Sequence, residues 1–189
     1  MSSNLNRNNI KQDKFCLKSR NLSGRTAPLQ YWGSNCEYDK LTDVLLGPVE
    51  NFQWLETSSL SKKSIRRGII FEPDVANEQY NEMLSAYSSA GVTVHQLEKD
   101  PDLPYQIFAR DSSFMTPFGA VITNMAQPWR KGENFRAIET YAKLNIPIYE
   151  FVTAGTFEGG DFNIIEPGCA LVGWEGSEGR SEEKAALQI

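Results

Sequence analysis

The sequence predicts a mixed α/β fold in which a unit of strand, strand, helix and strand is repeated along the chain. Short apolar runs separated by turns rich in Pro and Gly predict the strands, and apolar residues at every third or fourth position predict the helices. The order recurs three times, the third time incompletely. Because such a unit buries its faces only against its neighbours, we expect a propeller-like array of about three modules.

The first module is expected to carry a helix with one apolar face. Its predicted elements are, in order, strands at residues 44–46 and 68–71, a helix at 75–89 and a strand at 92–97. The apolar face of the helix consists of Tyr80, Met83, Leu84 and Tyr87. The single histidine, His95, alternates with apolar residues in the last strand, so we interpret it as a strand side chain and not as a catalyst.

The second and third modules follow the same order. The predicted elements are strands at 112–115 and 120–124, a helix at 131–144, and strands at 146–152, 162–165 and 170–172, with a further helix from Ser181. In the first of these two helices, Phe135, Ile138 and Ala142 are expected to form the buried stripe.

These two modules align at a constant offset of 50 residues. The aligned pairs are Asp111 with Asp161, Pro117 with Pro167, Arg130 with Arg180, and Glu133 with Glu183. The final helical stretch has no capping Gly or Pro, which predicts that the chain is the N-terminal part of a longer array. A naturally short C-terminal helix, which frays without penalty, is the alternative.

The charge of the chain is unevenly distributed. Residues 1–26 carry six basic residues and one acidic residue, a net charge of +5; since the whole chain carries −5, the remainder carries −10. We expect residues 1–30 to be a disordered basic tail, with a transit peptide as the alternative, and residues 31–189 to form the domain. The acidic body disfavours nucleic acid, and without a long apolar run we expect no membrane segment and a cytoplasmic location.

The cysteines predict neither a disulfide framework nor a metal site. Cys16, Cys36 and Cys169 are an odd set without CxxC spacing, and no second histidine completes a zinc site. We therefore expect free thiols, no metal and no cofactor. The glycines at 159 and 160 lack the lysine and the spacing of a phosphate loop, which disfavours a nucleotide.

Acidic and basic side chains at repeated positions form the candidate site. Asp111, Glu158 and Asp161 lie at strand entrances, which converge around the axis of a propeller, and Arg130 and Arg180 each follow an aspartate by 19 residues. Converging carboxylates suit a planar, permanently charged guanidinium, and arginines opposite them suit a carboxylate. The pattern therefore predicts a small ligand of the arginine type.

A purely structural interpretation of the same residues stays open. Asp111 and Asp161 would then cap hairpins, Glu-Gly-Gly-Asp at 158–161 would be an ordinary tight turn, and the two arginines would be exposed helix starts or salt-bridge partners.

Residues 31–189 resemble the guanidino-group-modifying enzymes of the pentein fold, which include dimethylarginine dimethylaminohydrolases, arginine deiminases and glycine amidinotransferases. The resemblance rests on the opening strand at 41–47, on Phe-Ala-Arg-Asp at 108–111, and on Glu-Gly-Gly-Asp at 158–161. It implies a five-bladed α/β propeller of strand-strand-helix-strand modules. This chain would supply about three of them.

The resemblance also assigns roles. Asp111 would bind the substrate guanidinium, Glu158 would contact the same group and orient a catalytic histidine, and Asp161 would support the strand end. Arg130 and Arg180 would hold the substrate carboxylate.

Family chemistry implies attack by a cysteine thiolate on the guanidinium carbon, loss of an amine and hydrolysis by water. In the family pattern the cysteine and histidine come later than Glu-Gly-Gly-Asp, and neither Cys169 nor His95 matches them, so we expect this chain to be inactive by itself. Tyr105 and Gln106 depart from the family, since they stand where arginine deiminases place an asparagine that touches substrate.

The resemblance leaves three functions open. The compact spacing favours a hydrolase of arginine or methylated arginine that produces citrulline, most similar to dimethylarginine dimethylaminohydrolase. An amidinotransferase and a non-catalytic guanidinium-binding module are the alternatives. Oligomeric state is open, with a homodimer as one outcome.

Overall fold

The structure, a computed structural model of the chain, describes residues 32–176 and 179–189. The predicted tail at residues 1–30 and Cys16 lie outside the described residues. Seven strands are described: β1 Asp43–Leu46, β2 Thr93–Gln96, β3 Ser113–Thr116, β4 Gly119–Ile122, β5 Ile148–Phe151, β6 Phe162–Glu166 and β7 Cys169–Val172. The helices are α1 Ser59–Arg66, α2 Pro73–Ser89, α3 Ala109–Ser112, α4 Glu133–Lys143 and α5 Glu183–Gln188, and 3-10 turns lie at Pro128–Arg130 and Gly159–Asp161. The predicted mixed α/β class is confirmed.

The first module differs from its prediction, because residues 68–71 form no strand. Ser58 caps the unpredicted helix α1 by accepting a hydrogen bond from the Ser61 amide, and Gly68 follows the helix with a φ of 70°. Since α2 begins at Pro73, the connecting residues run directly into the next helix, and Ile69 and Ile70 are 49% and 79% exposed. The predicted second strand is therefore an exposed connection, and β1 pairs directly and in parallel with β2.

The second module has the predicted order. β3 and β4 form an antiparallel hairpin, α4 crosses over, and β5 pairs in parallel with β4, so the sheet order is β3-β4-β5. The predicted helix stripe is wrong in part, since Phe135 is 69% exposed and Ala142 also faces solvent. The buried face of α4 consists instead of Glu133, Ala137, Thr140 and Tyr141. Glu133 lies on this face because its carboxylate pairs with the buried Arg130.

The third module begins with a second antiparallel hairpin, formed by β6 and β7. At its turn Glu166 pairs with Cys169, 50 residues after the pairing of Thr116 with Gly119 in the first hairpin. A bulge between Ile164 and Glu166 then shifts the register by one residue. The offset of 50 residues therefore holds at the hairpin turn.

Strand β4 lies between two hydrophobic clusters, because alternate side chains of a strand point to opposite faces. Val121 belongs to the inter-hairpin cluster, which consists of Phe114, Val121, Val152, Phe157, Phe162, Ile164 and Ala185. Ala120 and Ile122 belong to the helix cluster, which consists of Leu97, Ala120, Ile122, Ala137, Tyr141 and Ile146. The sheet of the second module is therefore covered on both faces.

Several side chains that the sequence singled out have clear positions in the fold. His95 lies in β2, as predicted, and its Nε2 is 2.8 Å from Asp43 Oδ1. Cys36 and Cys169 are free thiols. Over the two described ranges, no helix is both long enough and apolar enough to cross a bilayer, and no group of three or more His, Cys, Asp or Glu side chains is arranged to hold a metal ion.

Candidate functional site

The two predicted acidic motifs meet in the structure. Helix α3 carries Asp111, and the 3-10 turn that follows Glu158 packs against it. A Cβ atom at Gly159 would overlap the carbonyl oxygen of Arg110, and one at Gly160 would lie 3.0 Å from Asp111 Oδ1. Glycine is therefore required at position 159 for this close approach, which the interpretation of the segment as an ordinary tight turn does not explain.

Arg130 lies at the centre of the site and is not at the rim. Its side chain is only 3% exposed. Nε and Nη2 donate to the two carboxylate oxygens of Glu133 at 2.8 Å each, and Nη1 donates to Asp111 Oδ2 at 2.9 Å. In the unliganded chain Arg130 is thus a buried salt-bridge partner, and the alternative of an exposed helix start is excluded for it.

This network keeps Arg130 charged. Burial favours a lower pKa, but hydrogen bonds and charge from Glu133, and then from Asp111, outweigh it and raise the pKa of Arg130. Burial also raises the pKa of Glu133, whereas Arg130 lowers it. The paired geometry with both oxygens of Glu133 favours an ionised pair.

Glu158 is buried and only half paired. Its side chain is 4% exposed, and Oε2 lies 2.8 Å from Arg180 Nη1. Oε1 has no hydrogen-bond partner among residues 32–176 and 179–189, and it lies 4.0 Å from Arg130 Nη1. Burial raises the pKa of Glu158, and the charge of Arg180 opposes that shift. A buried carboxylate oxygen without a hydrogen bond destabilises the folded chain. Oε1 therefore marks a position where a hydrogen-bond donor of a ligand would fit.

Asp161 is linked to the backbone of Glu158 through Ser181. Its Oδ2 accepts a hydrogen bond from Ser181 Oγ, and that hydroxyl accepts from the amide of Glu158 at 3.0 Å. Ser181 thereby ties the two ends of the Glu-Gly-Gly-Asp segment to the stretch that carries Arg180. Arg180 itself is 57% exposed.

Glu133 and Ser181 belong to the site although the sequence reasoning did not assign them to it. The spacing of Glu133 three residues after Arg130 is a helical salt-bridge spacing and could have indicated the pair. Ser181 has no such signal, because its two partners lie 20 and 23 residues away and meet it only in the folded chain.

Tyr105 and Gln106, the departure from the family pattern, turn away from the carboxylates. The Tyr105 hydroxyl lies 2.7 Å from Ser61 Oγ, and Gln106 Oε1 accepts from the amide of Asp100 at 2.8 Å. The rings of Tyr105 and Phe108 instead flank the Arg130 guanidinium, with centroids 6.0 and 5.6 Å from its Cζ atom.

Curated relatives resemble a large part of the chain. YkgA of Bacillus subtilis, an uncharacterized protein, is 29% identical over 142 residues, which are 72% of this chain and 47% of YkgA. An uncharacterized protein of Aeropyrum pernix is 27% identical over 116 residues, which are 60% of this chain and 43% of that protein. The chain thus spans less than half the length of these relatives.

Solved structures share the fold. A mutant dimethylarginine dimethylaminohydrolase from Pseudomonas aeruginosa, complexed with citrulline, superimposes with a TM-score of 0.52 at 24% identity, over 65% of this chain and 46% of that chain. An adduct of a dimethylarginine dimethylaminohydrolase with S-methyl-L-thiocitrulline gives 0.58 at 23% identity, over 79% and 55%. The amidinotransferase SxtG of Microseira wollei gives 0.56 at 17% identity, over 70% and 52%.

The family itself is shown by sequence. The family model for eukaryotic N,N-dimethylarginine dimethylhydrolase matches residues 59–172, well over half of the chain, and this range includes Asp111, Arg130 and Glu158. The predicted resemblance to guanidino-group-modifying enzymes is therefore confirmed: the chain belongs to the eukaryotic N,N-dimethylarginine dimethylhydrolase family.

Proposed function

We propose that this chain supplies the guanidinium-recognition site of a hydrolase that converts arginine or N-methylated arginine into citrulline and an amine. One observation carries the proposal. Asp111 and Glu158 each bind an arginine through one carboxylate oxygen, whereas their other oxygens accept no hydrogen bond in the described part of the chain; Glu158 Oε1 is buried, and the Asp111 carboxylate is partly exposed. Two neighbouring acceptors of this kind suit the parallel N–H donors of a guanidinium.

The charge of the site supports a cationic ligand. Four acidic side chains, Asp111, Glu133, Glu158 and Asp161, are balanced by only two arginines. With every acid ionised, the site carries two uncompensated negative charges in a partly buried position. A ligand with a positive guanidinium would reduce that excess, and a neutral or anionic ligand would not.

We propose that the carboxylate at the other end of the ligand binds Arg180. Among the described residues only its Nη1 is engaged, and more than half of the side chain is exposed, so donors remain for a carboxylate. The predicted contact of Arg130 with the same carboxylate stays a prediction. Arg130 already binds Glu133 and Asp111, so that contact would use a donor that these bonds leave, such as the second N–H of Nη1.

The chemical step that we propose is the covalent route of the family. A thiolate adds to the guanidinium carbon, the C–N bond to the amine breaks as the amine takes a proton, and water hydrolyses the adduct to citrulline and the free thiol. We assign neither the thiol nor the imidazole to this chain, since His95 is bound to Asp43 and Cys169 lies on the exposed strand β7. The five-bladed propeller, the cytoplasmic location and a homodimer belong to the same proposal.

Calorimetry tests recognition directly. The chain is titrated with L-arginine and with N-methyl-L-arginine, and Asp111→Asn and Glu158→Gln are each expected to weaken binding by roughly 10- to 100-fold, the range for a hydrogen bond to a charged group. Glu183→Gln is the matched control, because Glu183 is an exposed acid at the position aligned with Glu133. The absence of heat at millimolar ligand with folded protein would overturn the proposal.

Turnover is tested with protein expressed from the complete natural gene. Citrulline released from arginine or methylarginine, and lost in both variants, supports the hydrolase. Binding without any citrulline would instead support the non-catalytic guanidinium-binding module, and transfer to an added acceptor amine would support an amidinotransferase.

A further inference from the structure

The segment that connects β1 to α1, residues 47–58, is fixed to the loop that leads into the Asp111 helix. Asn51 Nδ2 donates to Gln106 Oε1 at 3.0 Å, and the Leu55 amide donates to the Tyr105 hydroxyl at 3.3 Å. The same hydroxyl lies 2.7 Å from Ser61 Oγ at the start of α1, and both of these groups are buried. Two consecutive side chains of the loop, Tyr105 and Gln106, therefore hold this segment.

Between these bonds an aromatic group packs around Phe52. Its ring centroid lies 5.8 Å from that of Tyr105 and 6.2 Å from that of Phe108, and it also contacts Trp54 and Phe71. We call Phe52 and Phe108 the aromatic wall. Phe108 remains 49% exposed, so one side of the wall faces solvent.

The aromatic wall borders the proposed guanidinium site. Phe108 precedes Asp111 by one helical turn, and its ring lies 5.6 Å from the Arg130 guanidinium, which bonds to Asp111 and lies 4.0 Å from Glu158. A ligand cation held by Asp111 and Glu158 would therefore have an apolar ring at its side. Such a ring favours methyl groups on a guanidinium nitrogen over unsubstituted N–H groups, which lose water there without gaining an acceptor.

We propose that Tyr105 is a positioning residue that fixes the aromatic wall beside the carboxylates and thereby sets the preference of the site for N-methylated over unsubstituted guanidinium. This inference rests on the proposed function. The Tyr105 hydroxyl holds the segment that carries Phe52, and both Phe52 and the Tyr105 ring pack against Phe108, with ring centroids 6.2 Å apart in each pair. The family position that touches substrate in arginine deiminases is thus used in this chain to position a neighbouring surface.

Tyr105→Phe tests the proposal, because it keeps the ring and removes only the hydroxyl. Tyr105→Phe removes both hydrogen bonds of the hydroxyl, to Ser61 Oγ and from the Leu55 amide. We expect the ratio of the affinity for N-methyl-L-arginine to that for L-arginine to fall at least about fivefold, the factor that corresponds to one ordinary hydrogen bond. Ser61→Ala removes only the bond to Ser61 Oγ and should lower the ratio by a smaller factor. The double variant should fall no further than Tyr105→Phe, since that variant already loses both bonds.

Tyr141→Phe is the matched control. It removes another buried bond between a tyrosine and a serine, from Tyr141 to Ser113, with the same length of 2.7 Å. We expect it to lower the melting temperature in the same way but to leave the affinity ratio unchanged. If Tyr105 has only a structural role, both tyrosine variants should lower the melting temperature and leave the affinity ratio unchanged.

The outcomes separate the inference from the proposed function. An unchanged ratio in a folded Tyr105→Phe variant whose parent binds both ligands overturns the inference alone. If Tyr105→Phe does not fold, an unchanged ratio in Ser61→Ala overturns the inference in its place. If the parent chain binds neither ligand, the proposed function fails and the inference fails with it.

Discussion

Arg130 and Arg180 occupy equivalent positions 50 residues apart, yet the fold uses them differently. Arg130 is 3% exposed and is bound by Glu133 and Asp111, whereas Arg180 is 57% exposed and, within the described part of the chain, is bound by Glu158 alone. The acid aligned with Glu133, Glu183, is exposed to solvent. A repeated sequence pattern has therefore produced one arginine that organises the site and one that is available to a ligand.

The largest difference should appear in stability. Arg130→Met removes the partner of buried acids, so we expect the free energy of unfolding to fall by about 3–5 kcal/mol, as for other broken buried pairs. Arg180→Met should lower it less, by about 1–3 kcal/mol, because the arginine is largely in solvent but the buried Glu158 carboxylate loses the partner of its Oε2. Urea denaturation at pH 7 measures both values. Equal losses would remove the distinction between the two arginines.

The acids that follow the two arginines sharpen the comparison. Glu133→Gln loses a charge-assisted pair of bonds to Arg130, and we expect a cost of roughly 2–3 kcal/mol, less than that of Arg130→Met because Asp111 still binds the guanidinium. Glu183→Gln should change stability by less than about 0.5 kcal/mol, as is usual at exposed positions. The same denaturation experiment applies, and a neutral Glu133→Gln would show that its burial cost cancels the pairing.

For ligand binding, Arg180 is expected to matter more than it does for stability. Arg180→Met is expected to weaken L-arginine binding about tenfold, equivalent to about 1.4 kcal/mol, through the lost contact with the carboxylate. Agmatine, which has the guanidinium but no carboxylate, should bind the variant and the parent equally. Calorimetry with both ligands decides the point, and equal weakening for both would assign Arg180 to the guanidinium end.

The smallest expected effect is on the dependence of stability on pH. Burial raises the pKa of Glu158 above its ordinary value of 4.5, so its stabilising contribution is complete below pH 4.5 and is lost as the pH rises through the folded-state pKa. Glu158→Gln should therefore gain stability relative to the parent as the pH rises above 4.5.

Glu182 provides a control of opposite sign. A hydrogen bond from the Thr156 amide lowers its pKa, so its contribution is lost as the pH falls through the folded-state value. Glu182→Gln should accordingly lose stability relative to the parent at neutral pH and approach it in acid. Unfolding curves recorded between pH 3 and pH 8 measure both trends, and parallel curves for the two variants would contradict the assigned pKa shifts.

Much of the site was accessible from sequence because it rests on short motifs. Asp111, Glu158, Arg130 and Arg180 were predicted to converge, and the structure connects all four through salt bridges. The sequence reasoning did not predict how deeply Arg130 is buried. An arginine at the start of a helix suggests a surface position, and only the carboxylates that surround Arg130 reveal why it is buried.

The errors in the fold have a related cause. Residues 68–71 are apolar enough for a strand, but in the structure they form an exposed connection between two helices. Phe135 was assigned to the buried face of α4 because it is hydrophobic, whereas that face includes a charged residue, Glu133, which pairs with Arg130. Apolar patterns do not reveal a buried position that an ion pair occupies.

The position of strand β4 between the two hydrophobic clusters has a further consequence for how the protein unfolds. Val121 contributes to one hydrophobic cluster, and its neighbours Ala120 and Ile122 contribute to the other. Neither cluster can open without withdrawing side chains from the same strand. We therefore expect the second and third modules to melt in one cooperative transition, so that a protein divided between β5 and β6 would yield two unstable halves in place of two independent domains.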